Sequence, residues 1–395
     1  MVSEVSTIMK SSIQKTIDKL DYVLIFIVLA LFSIGLVAIY SAAGQYSQDP
    51  TYFLTRQIIW FVIGLVAIVF ILSLEYEHYR TLAIPLYALG VLSLLFVHFF
   101  GASEKGSQRW IELAGIKIQP SEFVKVLLII MLATAIYKIT KKARTKNEKD
   151  VKILFSMVLL GLPPLYLIYS QPDLGTTLAV AATMGSILFI SGLSAWYIIT
   201  IVGIVLFVVV LVGYLFLYQP EILNLVFKSH QLDRLYGWLQ PELYSGSYGY
   251  QLSGARMGIG SGKLFGSGFM DGTVTQSGRV PEIHTDFIFT VVGEEFGFIG
   301  AATLLILFFM LIYRMIIIAI NCRDIFGTVL VSGVIGLLTF QIFQNIGMTI
   351  GIMPITGITL PFISYGGSSL LTNMIAIGLV LNVHVNTRQY MFDTD

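Results

Sequence analysis

Apolar runs of roughly 18 to 23 residues, each long enough to cross a hydrocarbon layer of about 30 Å as a helix, recur along the whole chain. In lipid every backbone N–H and C=O must find its partner inside the segment, and runs of Leu, Ile, Val and Phe do so as helices. A closed barrel would show strands of about 10 residues with alternating polarity, and this pattern is absent. Composition agrees, since 56% of the residues are hydrophobic and 12% charged. So little charge cannot cover the surface of a water-soluble domain. The expected fold is therefore all-α, a polytopic membrane protein with spans near 22–42, 57–74, 81–100, 122–139, 153–169, 174–192, 195–217, 299–319, 326–348 and 368–385. One transmembrane domain, 1–395, would include a large connection at about 218–298 between the seventh and eighth spans. The first span is too long for a cleavable signal and is read as permanent.

Orientation follows from where the positive charge sits. The connection after the fourth span carries Lys138, Lys141, Lys142, Arg144, Lys146, Lys149 and Lys152 against Glu148 and Asp150, which marks it as cytoplasmic. An even number of spans then puts both termini there too, in agreement with Lys10, Lys15 and Lys19 and with Arg323 and Arg388. The net charge of +1 points to no nucleic-acid partner. Cys322 is the only cysteine, which excludes an intrachain disulfide, and the five histidines lack ligand spacing, so no metal site is expected.

With that orientation, four motif-like segments fall on the outer face: Gln119–Glu122, Gln171–Gly175, the connection 218–298 and Leu360–Ser369. Asp173 is the one formal charge between Lys152 and Glu221. It is a candidate functional group because charge beside membrane segments is unfavourable, and equally a candidate N-cap for the sixth span. Ser121 can cap the fourth span, while Glu122 and Lys125 share one helical face; they can pair, or Lys125 can meet a phosphate. Asp286 stands among aromatic and aliphatic residues, where desolvation strengthens a carboxylate's hold on a proton, so it reads either as a general base or as a first-turn helix acid. Glu294 and Glu295 are expected to brace loops or partner Arg residues rather than do chemistry. Outer-face cations (Lys105, Arg109, Lys228, Arg234, Arg256, Lys263 and Arg279) run against the orientation bias and suit an anionic lipid head group or a diphosphate. The Gly-rich run 254–263 could bring backbone N–H groups to such an anion.

At these residues the sequence closely resembles the SEDS family (shape, elongation, division and sporulation) of bacterial membrane glycosyltransferases, over nearly the whole chain. The likeness rests on Lys105-Gly106-Ser107-Gln108-Arg109-Trp110-Ile111, Gln119-Pro120-Ser121-Glu122, Gln171-Pro172-Asp173-Leu174-Gly175-Thr176, Pro281-Glu282 with His284-Thr285-Asp286-Phe287, Gly293-Glu294-Glu295, and Leu360-Pro361-Phe362 with Ser364-Tyr365-Gly366-Gly367-Ser368-Ser369. The first stretch and Gly260-Ser261-Gly262 resemble the RodA branch more than the FtsW branch. Arg256-Met257 departs from the commoner form and leaves a division or sporulation (SpoVE-like) paralogue open.

The resemblance implies about ten spans with cytoplasmic termini in the bacterial cytoplasmic membrane. It also implies polymerisation of lipid II, the undecaprenyl-diphosphate-linked disaccharide-pentapeptide, on the outer face during elongation, beside a class B penicillin-binding protein. The acid matching Asp286 is essential in that family, and Trp110, Glu122 and Lys125 match residues lining the same cavity. Expected substrate contacts are Arg109, Trp110, Gln119, Ser121, Glu122, Lys125, Asp173, Arg234, Lys263, His284, Thr285, Ser364 and Ser368. Apart from membrane lipid no cofactor is implied, although a divalent cation such as Mg2+ could accompany the leaving diphosphate. Two rival functions use the same features: a lipid II flippase, which would need access from both sides, and a noncatalytic scaffold for the penicillin-binding protein, which would tolerate loss of Asp286.

Overall fold

The computed structural model describes residues 18–44, 51–104, 107–113, 116–219, 221–223, 229–243 and 248–392. Lys10, Lys15, Lys105, Gly106 and Lys228 lie outside them. The crossing helices are α1 (Tyr22–Ala43), α2 (Thr51–Ser73), α3 (Tyr76–Phe100), α4 (Pro120–Lys142), α5 (Lys146–Ser170), α6 (Leu174–Ile190), α7 (Ala195–Tyr218), α12 (Gly297–Asn321), α13 (Ile325–Ile350) and α14 (Gly367–Phe392). Among the described residues nine helices are long and apolar enough to span a membrane, and α6, with 17 residues, is the short tenth. The chain is a multi-pass membrane protein.

Several helices begin earlier than their apolar runs, because a helix continues into the polar interface where a hydrophobicity argument stops. α2 thus includes Arg56 and Gln57, α3 starts at Tyr76, and α5 starts at Lys146 behind a Thr145 cap that accepts from Glu148 N at 3.2 Å. α4 starts with Pro120 at its first position, after Gln119 as N-cap, which corrects the expectation that Ser121 caps it. Between α3 and α4 lies an unforeseen three-stranded antiparallel sheet: β1 (Ala102–Glu104), β2 (Ser107–Leu113) and β3 (Ile116–Ile118), in the order β1-β2-β3. Trp110 pairs with Ala102 and Ile111 with Ile118.

The connection 218–298 lies on the same upper face as this sheet, and its described residues include the helices α8 (Ser229–Leu239), α9 (Tyr248–Ser261), α10 (Thr273–Gln276) and α11 (Ile288–Glu295). α13 and α14 are the most enclosed spans, whereas no residue of α7 is buried.

Two non-helical segments dip into the bundle from the upper face. Gly35, eight residues or about 12 Å below the end of α1, packs so closely that a Cβ there would lie 2.8 Å from Ile363 Cα and Phe362 O. Gln57, about 9 Å down α2, donates to Ser364 O at 3.0 Å. α14 begins beside Trp60, lower still on α2. Irregular backbone at this depth is tolerated only inside protein or along a wet cavity, so the stretch 352–366 and the turn 281–287 beside it mark an internal polar site.

Candidate active site

The turn 281–287 presents Asp286. Glu282, in the left-handed region at φ 59°, accepts at its carbonyl from the N–H groups of Thr285 and Asp286, both at 3.1 Å, and from Thr285 Oγ1 at 3.1 Å. Ile283 and Phe287 are buried on either side and anchor the turn. α11 starts only at Ile288 with Phe287 as N-cap, so Asp286 is not a first-turn helix acid. Its half-buried carboxylate lies over Gly357, where a Cβ would stand 3.1 Å from Oδ2. Gly357 has φ 74°, a conformation glycine adopts without strain, and its missing side chain leaves room for the carboxylate. His284 is buried against Phe53 and Tyr365, with ring centroids 4.8 and 5.7 Å away.

Ser364 was expected to touch substrate. Its hydroxyl instead accepts from Leu360 N at 2.8 Å and donates to Thr285 O at 2.6 Å, so it is committed to holding the two dipping segments together. Tyr365 N donates to His284 O at 3.0 Å, and Asn345 Nδ2 donates to Asp286 O at 2.8 Å and Ile358 O at 2.7 Å.

A second cluster sits on the same segment. Asp173 is both cap and ion-pair partner: Oδ1 accepts from Thr176 N at 3.0 Å, while Oδ2 accepts from Gln119 Nε2 at 3.1 Å and lies 3.6 Å from Arg109 Nη1. Arg109 also donates to Gln171 O at 3.1 Å and to Pro172 O. Gln119 reaches Ser121 Oγ at 3.1 Å, and its N–H donates to Ser368 Oγ at 3.1 Å. These contacts gather β2, α4, α6 and α14, and Gly175 packs on Thr356 O and Ile358, which joins the cluster to the stretch below Asp286. A cleft of about 210 Å³, lined by Tyr166, Tyr169, Ser170, Pro172 and Gln231, opens alongside.

Glu122 and Lys125 form a buried ion pair at 2.9 Å, with Lys125 only 2% exposed. Arg234 donates to Thr356 O at 2.9 Å and lies over the Tyr248 ring, one residue from the Gly357 that underlies Asp286. Arg256 packs on Gly351.

Two expectations are corrected. The run 254–263 is no anion-binding loop, because 254–261 belong to α9, where backbone N–H groups serve the helix. Its glycines allow close packing on α11: Cβ atoms at 258 and 262 would lie 2.8 Å from Thr290 and 2.0 Å from Gly293 O. Lys263 is exposed at the far end of α11, where its carbonyl accepts from Phe298 N, away from Asp286. Glu294 braces the short helix α10, accepting from Val274 N at 2.8 Å and Thr275 N at 2.7 Å. Glu295 is buried and accepts from Ser41 Oγ; burial raises its pKa, and the Ser41 bond opposes the rise.

Gln57 and Asn345 were missed, since neutral amides inside apolar helices carry no charge signal. Among the described residues no three His, Cys, Asp or Glu side chains converge.

A half-buried carboxylate on a fixed turn, beside charged groups and inside the bundle, can take a proton from a bound hydroxyl. Comparison with known proteins adds to this. The FtsW/RodA/SpoVE family, described as cell cycle proteins, matches residues 22–389. The chain is 36% identical to the peptidoglycan glycosyltransferase MrdB of Escherichia coli K12, over 93% of this chain and 94% of the relative. It is 35% identical to the FtsW of Trichlorobacter lovleyi, named a probable peptidoglycan glycosyltransferase, over 92% of each. Among solved structures, a chain of a peptidoglycan synthase complex described as coordinating polymerization and crosslinking superposes with TM-score 0.76 at 30% identity, covering 94% of this chain and 99% of that one. The rod shape determining protein RodA of Thermus thermophilus gives TM-score 0.66 at 29% identity, covering 92% and 96%.

Proposed function

Because the chain belongs to the FtsW/RodA/SpoVE cell cycle protein family, we propose that it is a peptidoglycan glycosyltransferase that polymerises lipid II, with Asp286 as general base. The observation that carries this reading is the Asp286 carboxylate itself, half-buried over Gly357 below the upper ends of the helices.

In the proposed reaction the Asp286 carboxylate takes the proton of the acceptor sugar's 4-hydroxyl as that oxygen attacks the donor's anomeric carbon. The bond from this carbon to the diphosphate oxygen breaks, its electron pair leaves with undecaprenyl diphosphate, and the anomeric configuration inverts. Negative charge grows on the leaving oxygen, so positive charge placed there stabilises the transition state more than the ground state. Arg234 and Arg256 bring such charge to the stretch 351–356, and Arg109 brings it to the neighbouring cluster. Mg2+ bound to the diphosphate would supply further neutralisation. Trp110 and the Glu122–Lys125 pair lie on the elements that approach this region, β2 and α4.

The Lys-rich connection between α4 and α5 supports a cytoplasmic lower face, and on that reading the site opens on the outer face of the cytoplasmic membrane. The single domain works with a class B penicillin-binding protein, a reading supported by the synthase complex, and the RodA-like stretches favour a role in elongation.

The test is Asp286→Asn, which keeps size and removes the base. Polymer formation should fall at least about 10²-fold, while lipid II binding, measured by thermal shift of the purified protein, persists. An Asn variant that makes long glycan would refute the assignment.

A further inference from the structure

Three successive carbonyls of the turn, those of His284, Thr285 and Asp286, each receive one donor: Tyr365 N–H at 3.0 Å, Ser364 Oγ–H at 2.6 Å and Asn345 Nδ2–H at 2.8 Å. The first two donors come from the stretch 352–366. The third comes from a spanning helix, α13, and acts on Asp286's own carbonyl. We infer that Asn345 is a positioning residue for the reaction, one that fixes the backbone of Asp286 and with it the direction of the carboxylate.

Asn345 is 0% exposed, about 7.5 Å below the end of α13; its Oδ1 is buried without a hydrogen-bond partner among the described residues, and the two bonds donated by Nδ2 offset the unfavourable burial of the amide. Both Nδ2 hydrogens are used, and on different segments, Asp286 O and Ile358 O. A planar amide with two divergent N–H groups can bridge two carbonyls in this way, which a hydroxyl with its single hydrogen cannot. Holding the Asp286 carbonyl sets the plane of the peptide that follows it. Holding Ile358 sets the position of Gly357, the residue beneath the carboxylate. One side chain therefore fixes both the group that carries the base and the floor under it. Gln344 makes a parallel contact one residue earlier, donating to Pro354 O at 2.8 Å, so α13 grips the dipping stretch at two points.

This inference rests on Asp286 as the base, so Asp286→Asn is assayed beside the Asn345 variants. Asn345→Asp keeps the shape but turns an oxygen toward both carbonyls; Asn345→Ala removes the bridge. With full-length protein, lipid II and its transpeptidase partner, kcat should fall by about 10²-fold, the scale of a misplaced catalytic group. KM for lipid II and the elution profile should stay close to the parent's, because only the transition-state geometry is lost. The inference is overturned if a folded Asn345 variant keeps its kcat, if KM rises while kcat stands, or if neither variant folds, which would make the residue a stability element. If instead Asp286→Asn is active, the general-base reading fails and this inference falls with it.

Discussion

Lys125 is as buried as the aliphatic side chains around it, and Glu122, 2.9 Å away, makes that tolerable. Removing one partner of a buried pair leaves an uncompensated charge. Lys125→Met should therefore lower stability by about 3–5 kcal/mol, while adding Glu122→Gln recovers most of the loss. Thermal melting in detergent reads the difference, and equal melting of the single and double variants would show that the pair does not matter. Glu295 carries a pH signature. Its pKa is raised on folding, so its contribution is present at low pH and lost as pH rises through the raised value. Glu295→Gln, which still accepts from Ser41, should flatten that part of the stability profile, and an unchanged profile would contradict this. Asp173 stood out in the sequence as the one formal charge between Lys152 and Glu221, and Asp286 as a carboxylate followed by an aromatic and aliphatic run. For Ser364 the observed bonds tie Leu360 to Thr285, and nothing in a sequence tells a hydroxyl that faces ligand from one that ties two backbone segments.

The dipping stretch 352–366 is the element on which the site depends, and α1 packs against it at Gly35. Gly35→Ala would set a methyl 2.8 Å from Ile363 Cα and Phe362 O, both backbone atoms that cannot swing aside. Such overpacking typically costs about 1–3 kcal/mol. It should also depress polymerisation more than it depresses expression, because it moves the floor under Asp286. Full activity in Gly35→Ala would mean that the segment shifts without consequence. Nine of the described spans were readable from apolar length alone, and α6, with 17 residues, is the short tenth. The sheet at 102–118 was not, because β1 and β3 have only three residues each, and strands so short are fixed by their pairing rather than by any pattern of their own. The glycines of α9 were visible, but whether they cradle a ligand or admit a neighbouring helix depends on tertiary packing.

At the scale of the whole molecule the cationic lower connection and the polar upper site define a sidedness that labelling can check. In intact cells a membrane-impermeant maleimide should leave the native Cys322, at the lower end of α12, unmodified. It should label a cysteine at the exposed upper-face position 279 in an Arg279→Cys, Cys322→Ser protein. The reverse pattern would invert the topology and place the carboxylate in the cytoplasm. Chemistry on one face, rather than passage between faces, separates an enzyme from a lipid carrier, and one assay measures it. Purified protein with its transpeptidase partner is placed in vesicles whose lipid II is confined to the leaflet contacting the upper face. Lipid II should be consumed there into glycan strands, with undecaprenyl diphosphate released and no intact lipid II in the other leaflet. Intact lipid II crossing without polymer would contradict the account.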